Sequence, residues 1–263
     1  MAGNSFGGKG TVPREVERDA RFSAVDNYCG TAAMAKKLVK LYFRTTCIDI
    51  RPKCRGGPRH KFLCKDMHKR EDRASVVKMQ PNLFWNSVPC EDFSKANTRG
   101  DASSNGEKLL RHTVRMCNRI EAEQPTFLPM LENPGGCLRE HLDGILAGWS
   151  PIPVDYCQYN DVFSYRKRTD IIVKTKHKHF FKFKLCHGYN CKHAILNTYT
   201  GLYYHPTTAQ SGPDRVKVGP RKWLTIPGTK RYSDRIRMPG PLCYSIAWQA
   251  KKALRSMAAR GRD

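Results

Sequence analysis

The 263 residues are 40% hydrophobic, enough for one large domain or a domain with a small appendage. The net charge of +24 is lopsided: from Asp161 onward 22 Lys and Arg stand against 5 Asp, which favours a polyanionic partner, most simply nucleic acid. No apolar run approaches the ~20 residues of a membrane helix, no secretory signal is read at the start, and the odd count of 11 cysteines fits a reduced, intracellular protein with free thiols.

Residues 1–21 are expected to be a flexible basic tail, with regular structure from Phe22. FSAVDN has strand character, and CGTAAMAKKLVKLYF follows as a turn and an amphipathic helix with Met34, Leu38 and Leu41 at helical spacing. TTCIDI is a β-branched strand carrying Asp49 at its end, and HKFLCKD is a third strand ending near Asp66. This order is how a doubly wound nucleotide-binding half begins. A tight turn brings backbone amides and a helix start to the ligand, and an acid after the second strand accepts hydrogen bonds from a ribose.

Leu83, Phe84 and Trp85 read as a buried strand that Pro89 stops, so Cys90 falls at a strand's carboxyl end, where open α/β sheets place reactive groups. KANTRGDASSNGEK reads as a loop, and residues 108–123 as a helix with Leu109, Leu110, Val114, Met116 and Ile120 inward. PTFLPMLENPGG is a strand with Pro129 awkward inside it and Glu132 near its end, level with Cys90. REHLDGILAGW is a further helix, and PIPVDYCQYNDVFSYRKRTDIIVKT a strand, a loop and a strand. KTKHKHFFKFK alternates cations and rings, as a strand along a nucleic-acid groove would.

LCHGYNCKH contains Cys186, His187, Cys191 and His193, whose Cys-x4-Cys spacing could supply half a zinc site, with His205 as a distant ligand. No second Cys-x-x-Cys accompanies it, packing or surface roles are the default, and no metal is assigned. A Pro-Gly-Pro turn and an apolar helix (Leu242, Ile246, Ala250 and Leu254) close the chain.

Pro-Cys-x-x-Phe-Ser, beginning at Pro89, resembles the nucleophile motif of the cytosine-5 DNA methyltransferases. The resemblance extends to DNYCGTAA, similar to that family's cofactor loop, with Ala32 and Ala33 where the family has glycines. It also covers Glu132-Asn-Pro and the basic run at Arg166 and Arg168, with Ser164 where a glutamine usually stands. It implies a doubly wound, Rossmann-like α/β methyltransferase sheet with a small basic insert before the C-terminal helix. The core would span 22–175, a target-recognition-like region 176–231, and a returning helix 232–263.

By the same resemblance, S-adenosylmethionine would be lined by Asp26, Tyr28, Cys29, Gly30, Thr31, Asp49, Asp66 and Pro89. Cys90 would attack carbon 6 of a cytosine flipped from duplex DNA, and Glu132, Arg166 and Arg168 would support the ring. A monomer is favoured. The alternatives are the same reaction on RNA, or an inactive nucleic-acid-binding protein on the same fold.

Overall fold

A computed structural model describes residues 22–51, 60–89, 103–135, 138–159, 168–186, 191, 195–196, 203–204, 215–217, 223–225 and 238–261. Strand β1 (Ser23–Asn27) leads into helix α1 (Ala33–Lys40), β2 (Arg44–Asp49) and β3 (Lys61–Cys64). Helix α2 (Arg70–Val77), β4 (Leu83–Asn86), α3 (Ser103–Glu123) and β5 (Leu128–Pro134) follow. Next come β6 (Trp149–Asp155) and β7 (Arg168–Lys174). Two short hairpins, β8 (Ile195–Leu196) with β9 (Tyr203–Tyr204) and β10 (Arg215–Lys217) with β11 (Trp223–Thr225), precede α4 (Gly240–Arg260).

The main sheet has the order β3-β2-β1-β4-β5-β7-β6. The first five strands are parallel, while β7 runs antiparallel to both β5 and β6. The chain reverses direction across the sheet between β1 and β4, so the crevice beyond their carboxyl ends is the expected ligand position. Both faces are covered. Met34 and Leu38 of α1 and Leu242, Ile246, Ala250 and Leu254 of α4 pack on one. Val76 and Val77 of α2 and Leu110, Val114 and Ile120 of α3 pack on the other. These are the stripes the apolar spacing predicted for α1, α3 and α4.

Lys251 of α4 is buried and donates from Nζ to the Leu41 carbonyl at 3.0 Å. It thereby satisfies an acceptor that the end of α1 would otherwise leave open, with the sign the helix dipole favours.

Pro129 lies inside a central strand without breaking the ladder. The Leu128 N–H points to β4, donating to the Asn82 carbonyl at 2.8 Å, so the missing donor of Pro129 faces the other side. There, pairing with β7 begins only at Met130.

Three expectations are corrected. REHLDGILAGW is a short 3-10 turn (Arg139–His141) followed by irregular turns, ending at Gly148 with φ +79°, a conformation that interrupts a helix. KTKHKHFFKFK is no strand: Thr175–Phe180 form a 3-10 turn that buries His177, and 181–186 pair with no strand of the sheet. Here β7 has reached the end of its partners, and local helical hydrogen bonds replace a ladder. Helix α3 begins at Ser103, inside the segment read as a loop.

Candidate active site

Backbone conformation and two acids build the loop after β1. Tyr28, Gly30 and Ala32 all take left-handed conformations, with φ of 56°, 49° and 53°. Ala32 adopts the shape glycine would supply, at a cost of roughly 1–2 kcal/mol. Its methyl group is fully buried in a small cluster with Cys29, Ala35 and Cys47, which offsets that cost. The alanine substitution therefore preserves the turn. A Cβ built on Gly30 would meet nothing within 4 Å, so the backbone there borders open space into which a ligand can come close.

Asp49, at the end of β2, accepts the Gly30 N–H on Oδ2 at 3.0 Å and the Arg51 N–H on Oδ1 at 2.9 Å. Cys29 N–H donates to the Ile48 carbonyl at 3.0 Å, which ties the loop to β2 a second time. Each carboxylate oxygen can accept more than one hydrogen bond, so Asp49 can hold the loop and still take ribose hydroxyls. Asp66, past the end of β3, accepts the His68 N–H at 2.9 Å. Tyr28 is anchored below the loop by its hydroxyl, 3.2 Å from Thr113 Oγ1 of α3, and burial pushes its phenol up to about 12. Thr31 is exposed, and its carbonyl accepts from Lys36 Nζ at 3.3 Å.

Asp26 does not face solvent. It is buried and accepts the Ala35 N–H at 3.0 Å, filling one of the open donors at the start of α1. Burial is the main cause that raises its carboxyl to about 7, with the nearby Asp49 charge adding to it. The folded chain therefore holds this proton where the unfolded chain, at 3.8, has lost it. Stability falls as pH rises from about 4 to 7. Asp26→Asn keeps an acceptor for Ala35 and is expected to flatten that fall, which is on the order of 1.4 kcal/mol per pH unit. Urea unfolding of both proteins at pH 5 and pH 8 checks it. An equal pH dependence in the two would show that Asp26 is ionised throughout.

At the β4–β5 junction the Glu-Asn-Pro stretch is tied to the segment that precedes Pro89. Asn133, buried in the Glu-Asn-Pro stretch, donates from Nδ2 to the Val88 carbonyl at 3.0 Å. Pro89 lies at the end of the described segment after β4; Cys90 and Arg166 fall outside the described residues. Glu132 is half-buried and accepts from the Tyr156 hydroxyl at 3.2 Å. Tyr156 is wholly buried, and its phenol is raised well above the ordinary range, by desolvation first and the Glu132 charge second.

Arg168 begins β7 beside the end of β5 and forms a two-pronged ion pair. Its Nε and Nη2 donate to Asp155 Oδ1 and Oδ2 at 3.2 and 2.9 Å. That pairing raises the guanidinium still further. Arg139 holds Asp170 in the same manner, with both bonds at 3.0 Å. Gly135 is required by this arrangement: a Cβ there would stand 2.7 Å from Arg168 Cγ. The Pro-Gly signal read as a turn is also a close-approach site.

Tyr28 to Thr31, Asp49, Asp66, Pro89, Glu132 and Arg168 thus share the edge formed by the carboxyl ends of β1 to β5 and the start of antiparallel β7. Asp155, Tyr156 and Asn133 had escaped the sequence reading. Asp155 carried a signal, an acid directly after an apolar strand and ahead of an Arg-Lys-Arg run. A separate hollow of about 790 Å³ opens near Ser23, Arg44, Lys61 and Asn82, at the opposite, amino ends of the strands. Open α/β sheets do not bind their ligands there.

The strand order, the antiparallel β7 and the helices on both faces define a doubly wound α/β sheet, the fold class expected from the sequence. No family model matches the chain, and no curated protein does. Among solved structures it is similar to the Dnmt2 methyltransferase of S. pombe, at 16% identity over 63% of this chain and 53% of that one, with a TM-score of 0.45. A DNMT2 variant from Spodoptera frugiperda gives 11%, 62%, 53% and 0.42. The Entamoeba histolytica methyltransferase EhMeth gives 10%, 89%, 98% and 0.47. The chain spans about half the length of the two Dnmt2 structures.

Proposed function

We propose that this protein transfers a methyl group from S-adenosylmethionine to carbon 5 of cytosine in DNA. The observation that carries the reading is the Asn133–Val88 hydrogen bond, which fastens the Glu-Asn-Pro strand to the segment leading into Cys90. A nucleophile and a carboxyl group on adjoining strand ends are what addition to a pyrimidine ring requires.

The loop from Tyr28 to Thr31, with Asp49 and Asp66, fits the cofactor. The open space beside Gly30 admits it, and the acids offer acceptors for hydroxyl and amino groups. When bound, it supplies an electrophilic methyl group on a sulfonium. The protein's own residues do the rest. The Cys90 thiolate forms a bond to carbon 6, raising electron density at carbon 5. Glu132 and Arg168 hold the ring's nitrogen and carbonyl edge. After methylation, a water molecule takes the carbon 5 proton, the C–H electrons re-form the 5,6 double bond, and the carbon 6–sulfur bond breaks to release the Cys90 thiolate. The cytosine must leave the duplex to reach these groups, at a cost of a few kcal/mol. The +17 carried from Asp161 onward supplies non-specific attraction to the phosphates.

The test is incubation with duplex DNA containing 5-fluorocytosine and S-adenosylmethionine, followed by a denaturing gel. Fluorine does not depart as a proton does, so a covalent complex is expected with the DNA. A complex with RNA alone would move the reaction to RNA. DNA binding without a complex on either would favour the inactive, binding-only alternative.

Tyr156 positions Glu132 in this scheme. Tyr156→Phe is expected to lower kcat about tenfold with little change in KM, while costing about 1 kcal/mol of stability. Steady-state kinetics beside urea unfolding check it. Unchanged kcat would remove Glu132 orientation from the role of Tyr156.

A further inference from the structure

Among the described residues, one group of metal-ligand side chains has its donor atoms close enough to share a cation. Cys157, Cys186 and Cys191 place their sulfurs within 4.8 Å of one another, and all three are buried. Cys157 follows β6 in the turn Tyr156–Gln158, whereas the other two come from the chain beyond β7. The sequence offered Cys186 and Cys191 with His187, His193 and His205 as candidate ligands and missed Cys157, which is far off in the chain and has no spacing signal.

We infer that Cys157, Cys186 and Cys191 bind one zinc ion as a structural site beside the methyl-transfer edge, made of residues that the proposed reaction does not use. Four observations support it. A tetrahedral ion with Zn–S bonds of about 2.3 Å holds its sulfurs about 3.8 Å apart, a spacing that falls within the 4.8 Å span of the three sulfurs. Among the described residues, the buried cluster consists of these three cysteines, with no aliphatic or aromatic side chain in it. The Gln158 amide nitrogen lies 3.7 Å from the Cys157 sulfur and 3.5 Å from the Cys191 sulfur, a donor suited to metal-bound thiolates, which carry negative charge. Finally, the Cys186 N–H donates to Asp155 Oδ2 at 2.8 Å, fixing its backbone. Binding displaces one proton from each of the three thiols. A fourth donor would complete the tetrahedron, as histidine does in three-cysteine structural sites.

This site would join the chain beyond β7 to the end of β6. The stretch 187–237 has many Lys and Arg and few aliphatic side chains, a composition poorly suited to building a core of its own. Segments of that size are commonly held by a metal or by disulfides.

The test uses the full chain without a metal-binding tag, expressed in zinc-supplemented medium and purified without chelator. Elemental analysis is expected to give about one zinc per chain, and X-ray absorption about three sulfurs on it. Cys157→Ser, Cys186→Ser and Cys191→Ser should each lower zinc content at least tenfold. Folding of each variant is followed by circular dichroism. Should a variant fail to fold, the wild type answers instead: a mercurial thiol reagent is expected to release the zinc, and cobalt added to a separate sample stripped of zinc by a chelator should give intense thiolate charge-transfer absorption. A wild type that neither retains zinc nor takes up cobalt overturns the inference. Full zinc in all three folded variants, or a disulfide between two of these cysteines in the freshly purified protein, overturns it equally.

Discussion

Cys90→Ala is expected to abolish the covalent complex with 5-fluorocytosine DNA and to lower methyl transfer by roughly 10⁴-fold or more. Such a loss corresponds to at least about 5.5 kcal/mol of barrier. The size follows from the chemistry. Carbon 5 of cytosine is a weak nucleophile until carbon 6 carries an added group, and no oxygen or nitrogen side chain at that position replaces a thiolate. Folding should be little affected, because a cysteine-to-alanine change removes one sulfur. Single-turnover transfer of labelled methyl groups, with circular dichroism as the folding control, measures it. A folded Cys90→Ala protein that retains even a tenth of the wild-type rate would remove the covalent route.

Arg168→Met is expected to destabilise the fold by about 3–5 kcal/mol, because it leaves the Asp155 carboxylate buried without its charge partner. Asp155 is 0% exposed, whereas the Arg168 side chain is 42% exposed. The two halves of the pair are therefore not equivalent. Asp155→Asn leaves a guanidinium that can turn to water, and an amide oxygen that still accepts the Cys186 N–H, so its cost should be nearer 1–2 kcal/mol. For a chain of this size each kcal/mol shifts Tm by roughly 2–4 °C, so Arg168→Met should melt about 10 °C lower. Urea unfolding of both variants gives the order, and a larger loss in Asp155→Asn would overturn it. Activity of Arg168 variants has to be compared at a temperature where they remain folded, since this side chain supports the sheet edge as well as having the proposed role at the ring.

Much of the sheet was legible because its signals are local. The β-branched and aromatic runs at Ser23–Asn27, Arg44–Asp49 and Leu83–Asn86 mark strands by composition, and Met34 and Leu38 mark α1 by spacing. Acids at or just after strand ends, Asp49 and Asp66, land at one edge because crossover connections keep β1 to β5 parallel. The failures have equally definite causes. Glycine-interrupted REHLDGILAGW has helical apolar spacing, but its chain reverses at Gly148. KTKHKHFFKFK has a strand's alternation, but among the described residues it joins no ladder beyond Lys174, and its backbone meets β6 only where the Asp155 N–H donates to the Lys184 carbonyl at 3.4 Å.

The sequence by itself determined the order of the motifs, the placement of Asp49, Asp66, Pro89 and Glu132 at or near strand ends, and the basic charge of the chain from Asp161 onward. These depend on neighbours within a few positions, where periodicity and turn chemistry act. Tertiary structure alone decided that Ala32 can take a left-handed conformation over a buried methyl cluster, and that Asn133 binds Val88 across two strands. It also decided that Asp155 anchors Arg168, and that Cys157 joins Cys186 and Cys191. Each of those contacts links residues far apart in the chain, so their energies exist only once the sheet has set the distances.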